Sequence, residues 1–363
     1  MKRVSLILLC LALLMSLCAC AQKPATPPAT QAPASQPAVP DSSAAPETGA
    51  EPVSTEAAPQ KPDDGKLQGA VFQVYSLKGP TSMGIASLLR DSKDGKTFNS
   101  YISTVCTAAD EVTAALVSGD ADIAMLPANA AAALFNKAAG FSVVNINTLG
   151  VLYLLENGES VQSIEDLAGK TICLTGKGTT PEFSLNYLLT AHEIQDQVKL
   201  EFKSEPAEVV TALSENVEML GLLPQPFVTV AQSQNTELRV ALDLNEEWKA
   251  VKEDSTLVTG VTVVRDEILE QYPEQIAVFL QEAAAGVQYV NENPEEAGKL
   301  IKDMGIVNKS AIAQKAIPLC NLVSITGADM KRLLSGYLQT LFDQEPKAVG
   351  GAMPSDDFYY TGE

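Results

Sequence analysis

Histidine is almost absent from this 363-residue chain, with His192 the single example. A nucleophile–histidine relay would have only one imidazole to draw on, and Thr190-Ala191-His192-Glu193 reads as the exposed end of a helix. Cysteine is sparse too: beyond position 20 only Cys106, Cys173 and Cys320 remain, far apart and in apolar surroundings. An odd number of thiols without Cys-x-x-Cys spacing argues against a disulfide framework or a zinc site, and predicts buried, inert thiols. No clustered nucleophile and base is present, which argues against catalysis. Positive charge is also short. Lys and Arg number 25 against 45 Asp and Glu, giving a formal charge of -20, so nucleic acid is excluded as a partner. No metal and no other cofactor is expected.

What is present begins at the amino terminus. Lys2 and Arg3 precede an apolar run from Val4 to Leu17 that ends in Leu17-Cys18-Ala19-Cys20, the order of a secretion signal. The run is too short to span a bilayer comfortably. Its last four residues resemble the lipobox of bacterial lipoproteins, with Leu17 three positions before Cys20 and the small Ala19 directly before it. Cys18 departs from the Ser, Ala or Thr more usual at its place. The resemblance implies that residues 1–19 are removed and that Cys20 is acylated as the new first residue; ordinary cleavage to a free secreted protein is the alternative. Residues 21–65 then hold 10 of the 21 prolines and no aromatic, Leu or Ile. Such a segment cannot bury a core and reads as a disordered tether, with a reach of about 40 Å or more.

From Lys66 onward the chain is long enough for one large or two ordinary domains, and it carries nearly all of the negative charge. Apolar β-branched runs at 70–76, 101–105, 122–126, 143–155, 170–175, 198–202, 217–223, 238–242 and 257–264 alternate with helical patterns at 110–117, 129–138, 181–191 and 206–214. Alternation of this kind predicts an α/β fold with parallel sheets covered by helices. After Val264 the pattern is helical, with Ile276, Phe279, Leu280, Ala283, Val287 and Val290 on one face. A repeat organises the pieces. Glu111 to Leu116 with Ile123 to Pro127 is echoed 97 residues later by Glu208 to Leu213 with Leu220 to Pro224, each a helix and then a strand ending in Leu-Pro. Two related α/β lobes follow, with a natural ligand space between them.

Ser118-Gly119-Asp120-Ala121-Asp122-Ile123-Ala124 before Leu126-Pro127-Ala128-Asn129, and then Ser163-Ile164-Glu165-Asp166-Leu167-Ala168-Gly169-Lys170, resemble the substrate-binding proteins of nitrate, sulfonate, taurine and thiamine-pyrimidine importers. The resemblance implies a type II periplasmic-binding-protein fold: two α/β lobes joined by a two-segment hinge, crossing near 155–162 and returning near 255–261. Lobe 1 would be 66–157 plus 262–363, and lobe 2 would be 158–261. It also implies a monomer on the extracytoplasmic face, held to the membrane by the lipid alone, that passes a small-molecule ligand to ABC permease and ATPase subunits. An enzyme on the same fold, and a surface sensor that binds ligand without transport, are the alternatives.

Within that geometry the strand-to-helix turns are the candidate site. Pro80, Thr81, Ser82 and Met83 follow the first strand, where free backbone N–H groups and two hydroxyls would face the cleft. In the second lobe Thr175, Lys177, Thr179 and Thr180 do the same, with Thr180 expected as N-cap and Pro181 as first helical residue. The glycines around Lys177 offer a cradle for an anion, or a plain turn with nothing bound. Pro127, Asn129, Gln225 and Phe227 are the repeat-related strand ends; the two amides suit hydrogen bonding to ligand or capping, and Phe227 suits stacking on a ring. These stretches contain no Arg, so a neutral or mildly polar ring compound is preferred to a sulfonate or nitrate.

Overall fold

A computed structural model describes residues 67–253 and 255–362. The secretion signal, Cys20 and the tether expected over residues 1–65 lie outside the described residues. No helix among the described residues is long and apolar enough to cross a membrane.

The β-branched runs become β1 (Val71–Leu77), β2 (Ser100–Cys106), β3 (Ile123–Pro127), β4 (Phe141–Leu149), β5 (Leu152–Asn157), β6 (Thr171–Leu174), β7 (Lys199–Phe202), β8 (Leu220–Pro224), β9 (Leu238–Asp243) and β10 (Val258–Arg265), and one short strand, β11 (Leu322–Ile325), falls in the part expected to be helical. They form two sheets, ordered β11-β4-β10-β3-β1-β2 and β7-β6-β8-β5-β9. Without the edge strand β11 the two orders are the same. Each half of the chain lays down four strands, β1–β4 or β6–β9, and contributes its fifth to the other half's sheet. Those exchanged strands, β5 and β10, run antiparallel to both neighbours, whereas β1, β2 and β3, like β6, β7 and β8, pair in parallel. The expected parallel sheets are therefore mixed, because a strand entering from the other lobe arrives from the opposite end.

The crossing points also move. The run 143–155, read as one strand, divides at Gly150 and Val151, so residues 152–157 pair in the second sheet and residues 258–261 in the first. This corrects the outgoing crossing expected at 155–162 and the boundaries at 157 and 261. Gly150 permits the early crossing: a Cβ there would sit 2.7 Å from Asn245 Cβ and 2.9 Å from Leu257 Cβ, where the return segment passes.

Helices cover both sheets. After β1 come α1 (Pro80–Met83) and α2 (Ala86–Lys93); α3 (Ala109–Ser118) leads into β3 and α4 (Ala128–Phe135) follows it. In the second half α5 (Thr180–Ala191) follows β6, α6 (Pro206–Glu215) leads into β8, and α7 (Phe227–Gln234) and α8 (Leu244–Val251) come after β8 and β9. The repeat read in the sequence is thus α3–β3–α4 against α6–β8–α7. The carboxyl-terminal part is α9 (Asp266–Gln271), α10 (Pro273–Glu292), α11 (Pro294–Asp303), α12 (Ser310–Ala316) and α13 (Gly327–Gln344). On α10 the residues Ile276, Phe279 and Ala283 bury against Phe72, Val74 and Met125, as its apolar stripe predicts. Near the hinge the core runs across both lobes. Trp248 of α8 is fully buried between Tyr187 of α5, with ring centroids 4.3 Å apart, and Tyr337 of α13, at 5.7 Å.

Candidate functional site

In parallel α/β layers the helix starts gather at the carboxyl ends of the strands, where their unpaired N–H groups lie. Here four such ends, Leu77, Pro127, Leu174 and Pro224, meet in pairs across the lobes, a consequence of the repeat. The start of α4 meets that of α5, where the Thr180 hydroxyl lies 3.5 Å from Asn129 Oδ1. The start of α1 faces that of α7 across a cleft of about 500 Å³. Lys78 and Gly79 line it from one lobe and Pro226 and Phe227 from the other, with Ile306, Val307 and Lys309 of the α11–α12 connection closing one side.

The α1 turn differs from expectation. Pro80, half-buried, opens the helix, and Gly79 takes a φ of 120°, which favours glycine. Thr81 and Ser82 do not face the cleft: both are buried, and Ser82 has no exposed surface. Thr81 Oγ1 donates to Leu77 O at 3.2 Å, and the Ser82 hydroxyl engages the same carbonyl and the Ser76 hydroxyl. In a single helical turn these hydroxyls reach back to the last carbonyl of the strand and satisfy it locally. Met83 is buried, its sulfur 3.9 Å from Cys320 Sγ.

The glycine-rich turn of the second lobe is also corrected. Thr179, not Thr180, is the N-cap, Thr180 is the first residue of α5, and the Thr179 hydroxyl donates to Gly176 O at 2.6 Å. The Gly178 N–H donates to the Glu182 carboxylate, so the turn already holds an internal anion and offers no open cradle. Lys177 is exposed, and its ammonium lies 5.7 Å from the Phe202 ring centroid in its own lobe. Thr175, directly after β6, is half-buried.

The Leu-Pro strand ends lie nearest the two lobes' meeting points. Pro127 precedes α4, and Asn129 Nδ2 donates to Ala348 O at 3.4 Å while its Oδ1 faces Thr180. Gln225 is buried; its N–H donates to Val151 O at 3.0 Å and its Oε1 accepts from Thr229 at 2.9 Å. Its Nε2 has no partner among the described residues. Phe227, half-buried, presents its ring to the cleft at the start of α7.

Sequence reasoning missed the α11–α12 connection and Tyr337, which carry no signal beyond the periodicity of covering helices. The Gly-Asp-Ala-Asp stretch that carries the family resemblance lies apart from these turns. Gly119, at φ 86°, ends α3, and Asp122 accepts from Gln73 N at 2.8 Å and Arg265 at 2.9 Å, at the amino-terminal end of β3 away from the cleft. Its role is to lock the sheet. Burial pushes the Cys106, Cys173 and Cys320 thiols up, and all three are free. His192, at the end of α5, lies 2.7 Å from Glu165 on the surface.

Solved structures share this two-lobe arrangement. An ABC transporter from Parabacteroides distasonis is 24% identical, with a TM-score of 0.68 over 80% of this chain and 98% of that one. The periplasmic aliphatic sulphonate binding protein SsuA from Escherichia coli is 16% identical, with a TM-score of 0.60 over 78% and 92%. The periplasmic nitrate-binding protein NrtA from Synechocystis is 11% identical, with a TM-score of 0.50 over 72% and 74%. These likenesses show the fold. No curated protein sequence matches the chain. Residues 102–297, more than half of the chain and spanning both exchanged strands, match the family described as NMT1/THI5 like, and the chain belongs to that family.

Proposed function

We propose that this chain is the extracytoplasmic solute-binding component of an ABC importer, anchored through a lipid on Cys20 and spaced from the membrane by residues 21–65. One observation carries the reading: the α1 and α7 starts, one from each lobe, face each other across a cleft between the two lobes. A molecule held there touches both lobes and stabilises their approach, which is how a receptor converts occupancy into shape. The names of the structural relatives, an ABC transporter and sulphonate- and nitrate-binding proteins, support the assignment. The cleft lining holds Lys78 and Lys309 but no Arg and no carboxylate, beside Phe227, Val230 and Ile306. It suits a small organic molecule with a ring or apolar body and a polar edge.

Native mass spectrometry of the purified protein tests this. A small molecule released unchanged on denaturation is the expected result. A bound molecule that the protein turns over would make it an enzyme instead.

A further inference from the structure

Asn321 joins the short helical turn Ile317–Leu319 to β11 with a φ of 45°, in the left-handed region. Its backbone carbonyl accepts from Leu149 N at 3.1 Å, and its side-chain amide donates to Gly150 O at 2.6 Å. The same amide lies 3.5 Å from the Tyr153 hydroxyl, which donates to Leu319 O at 2.8 Å. Leu149 ends β4 in the first sheet, Gly150 begins the crossing, and Tyr153 lies in β5 of the second sheet. One residue from a distant part of the chain is therefore bonded along the whole outgoing crossing. The return segment presses on the same point: Asn245 and Leu257 pack against Gly150, and Thr256 Oγ1 donates to Asn245 Oδ1 at 2.8 Å.

We infer that Asn321 is a positioning residue for lobe movement, a clasp that ties the outgoing crossing to lobe 1 and sets how readily the lobes part, without lining the cleft. The inference rests on the two-lobe receptor reading. Asparagine meets two demands at once. It is among the few non-glycine residues that occupy left-handed backbone at small cost, and its amide supplies the donor that Gly150 O requires. Parting the lobes pulls β5 away from the Ile317–Asn321 segment, so the Asn321–Gly150 and Tyr153–Leu319 bonds must loosen first. The clasp favours the arrangement in which Trp248 and Tyr337 touch.

The test separates backbone tolerance from the clasp. Asn321→Gly keeps the left-handed conformation and removes the amide; Asn321→Asp keeps size and tolerance but cannot donate to Gly150 O. Hydrogen exchange read by mass spectrometry on the full chain, without added ligand, compares peptides covering 149–153 and 255–258 with those covering β1, β3, β6 and β8. Loss of one buried donor should speed exchange at the crossings about five- to tenfold in both variants. Protection within the two sheets should stay as in the wild type, and the radius of gyration should rise. Wild-type exchange at the crossings in Asn321→Gly overturns the clasp and leaves the two-lobe reading standing. If crossings and sheets of the wild type exchange only together, in one global event, the lobes do not move separately, and both readings fall.

Discussion

Glu156, at the end of β5, shows how one residue fixes a crossing strand to its new sheet. Its side chain is 2% exposed, and it accepts from Ser160 N at 3.0 Å, Ser160 Oγ at 2.8 Å and Val161 N at 3.2 Å, with Arg239 of β9 as ion-pair partner. Burial alone would raise its pKa, but the Ser160 and Val161 donors and the Arg239 guanidinium hold it below the ordinary 4.5. A carboxyl depressed in the folded state stabilises above its unfolded value and loses that contribution as pH falls through the folded one. Stability should therefore decline from about pH 4.5 downward, and Glu156→Gln should flatten part of that decline while lowering stability at neutral pH. Arg239→Ala leaves the carboxylate buried without its counter-ion and should cost about 3 kcal/mol at pH 7, with the penalty shrinking toward pH 4 as protonation relieves it. Urea melts at both pH values check this; a loss below about 1 kcal/mol at pH 7 would mean a solvent-screened pair. At this scale the sequence was only partly legible. That Thr81, Ser82 and Thr179 carry hydroxyls near helix starts was readable; that they turn back to Leu77 O and Gly176 O was not, because that choice is made by the packing of a short turn.

Among the elements, periodicity served well where one face is wet and poorly where both are covered. The stripe on α10 and the α3–β3 and α6–β8 repeat stand as read. The run 143–155 gave no sign of its crossing because β4 and β5 are almost wholly buried, and their apolar residues continue unbroken on either side of Gly150. Trp248 joins three elements: its ring packs with Tyr187 of α5 and Tyr337 of α13, and its Nε1 donates to Ser255 Oγ at 3.1 Å in the return segment. Truncation to Ala should cost about 4 kcal/mol through the cavity left at the lobe junction. Trp248→Phe keeps much of the volume and should lose about 1 kcal/mol for the missing Ser255 bond plus a smaller packing loss. Chemical denaturation of both variants separates the two contributions; equal losses would make the hydrogen bond, not the ring, the link that matters.

For the whole molecule, Cys20→Ser should move the protein from the membrane fraction to the medium, and a wild-type protein found in the aqueous phase would remove the anchor from the proposal. Ligand linkage is the stricter test of the two-lobe reading. A ligand that touches both sides of the cleft binds the approached arrangement better than the parted one, so it compacts the population while stabilising it. At a hundredfold excess over Kd the gain is about 2.7 kcal/mol, which for a folded part of this size raises Tm by roughly 5 °C. The same titration should lower the radius of gyration. It should also change the fluorescence of Trp248, the single tryptophan of the chain, because its ring lies where α8 meets α13 of the other lobe. The three readouts fail differently. Stabilisation with neither compaction nor a fluorescence change places the ligand within one lobe, whereas all three reaching saturation at one ligand concentration ties binding, closure and the Trp248–Tyr337 contact to a single transition.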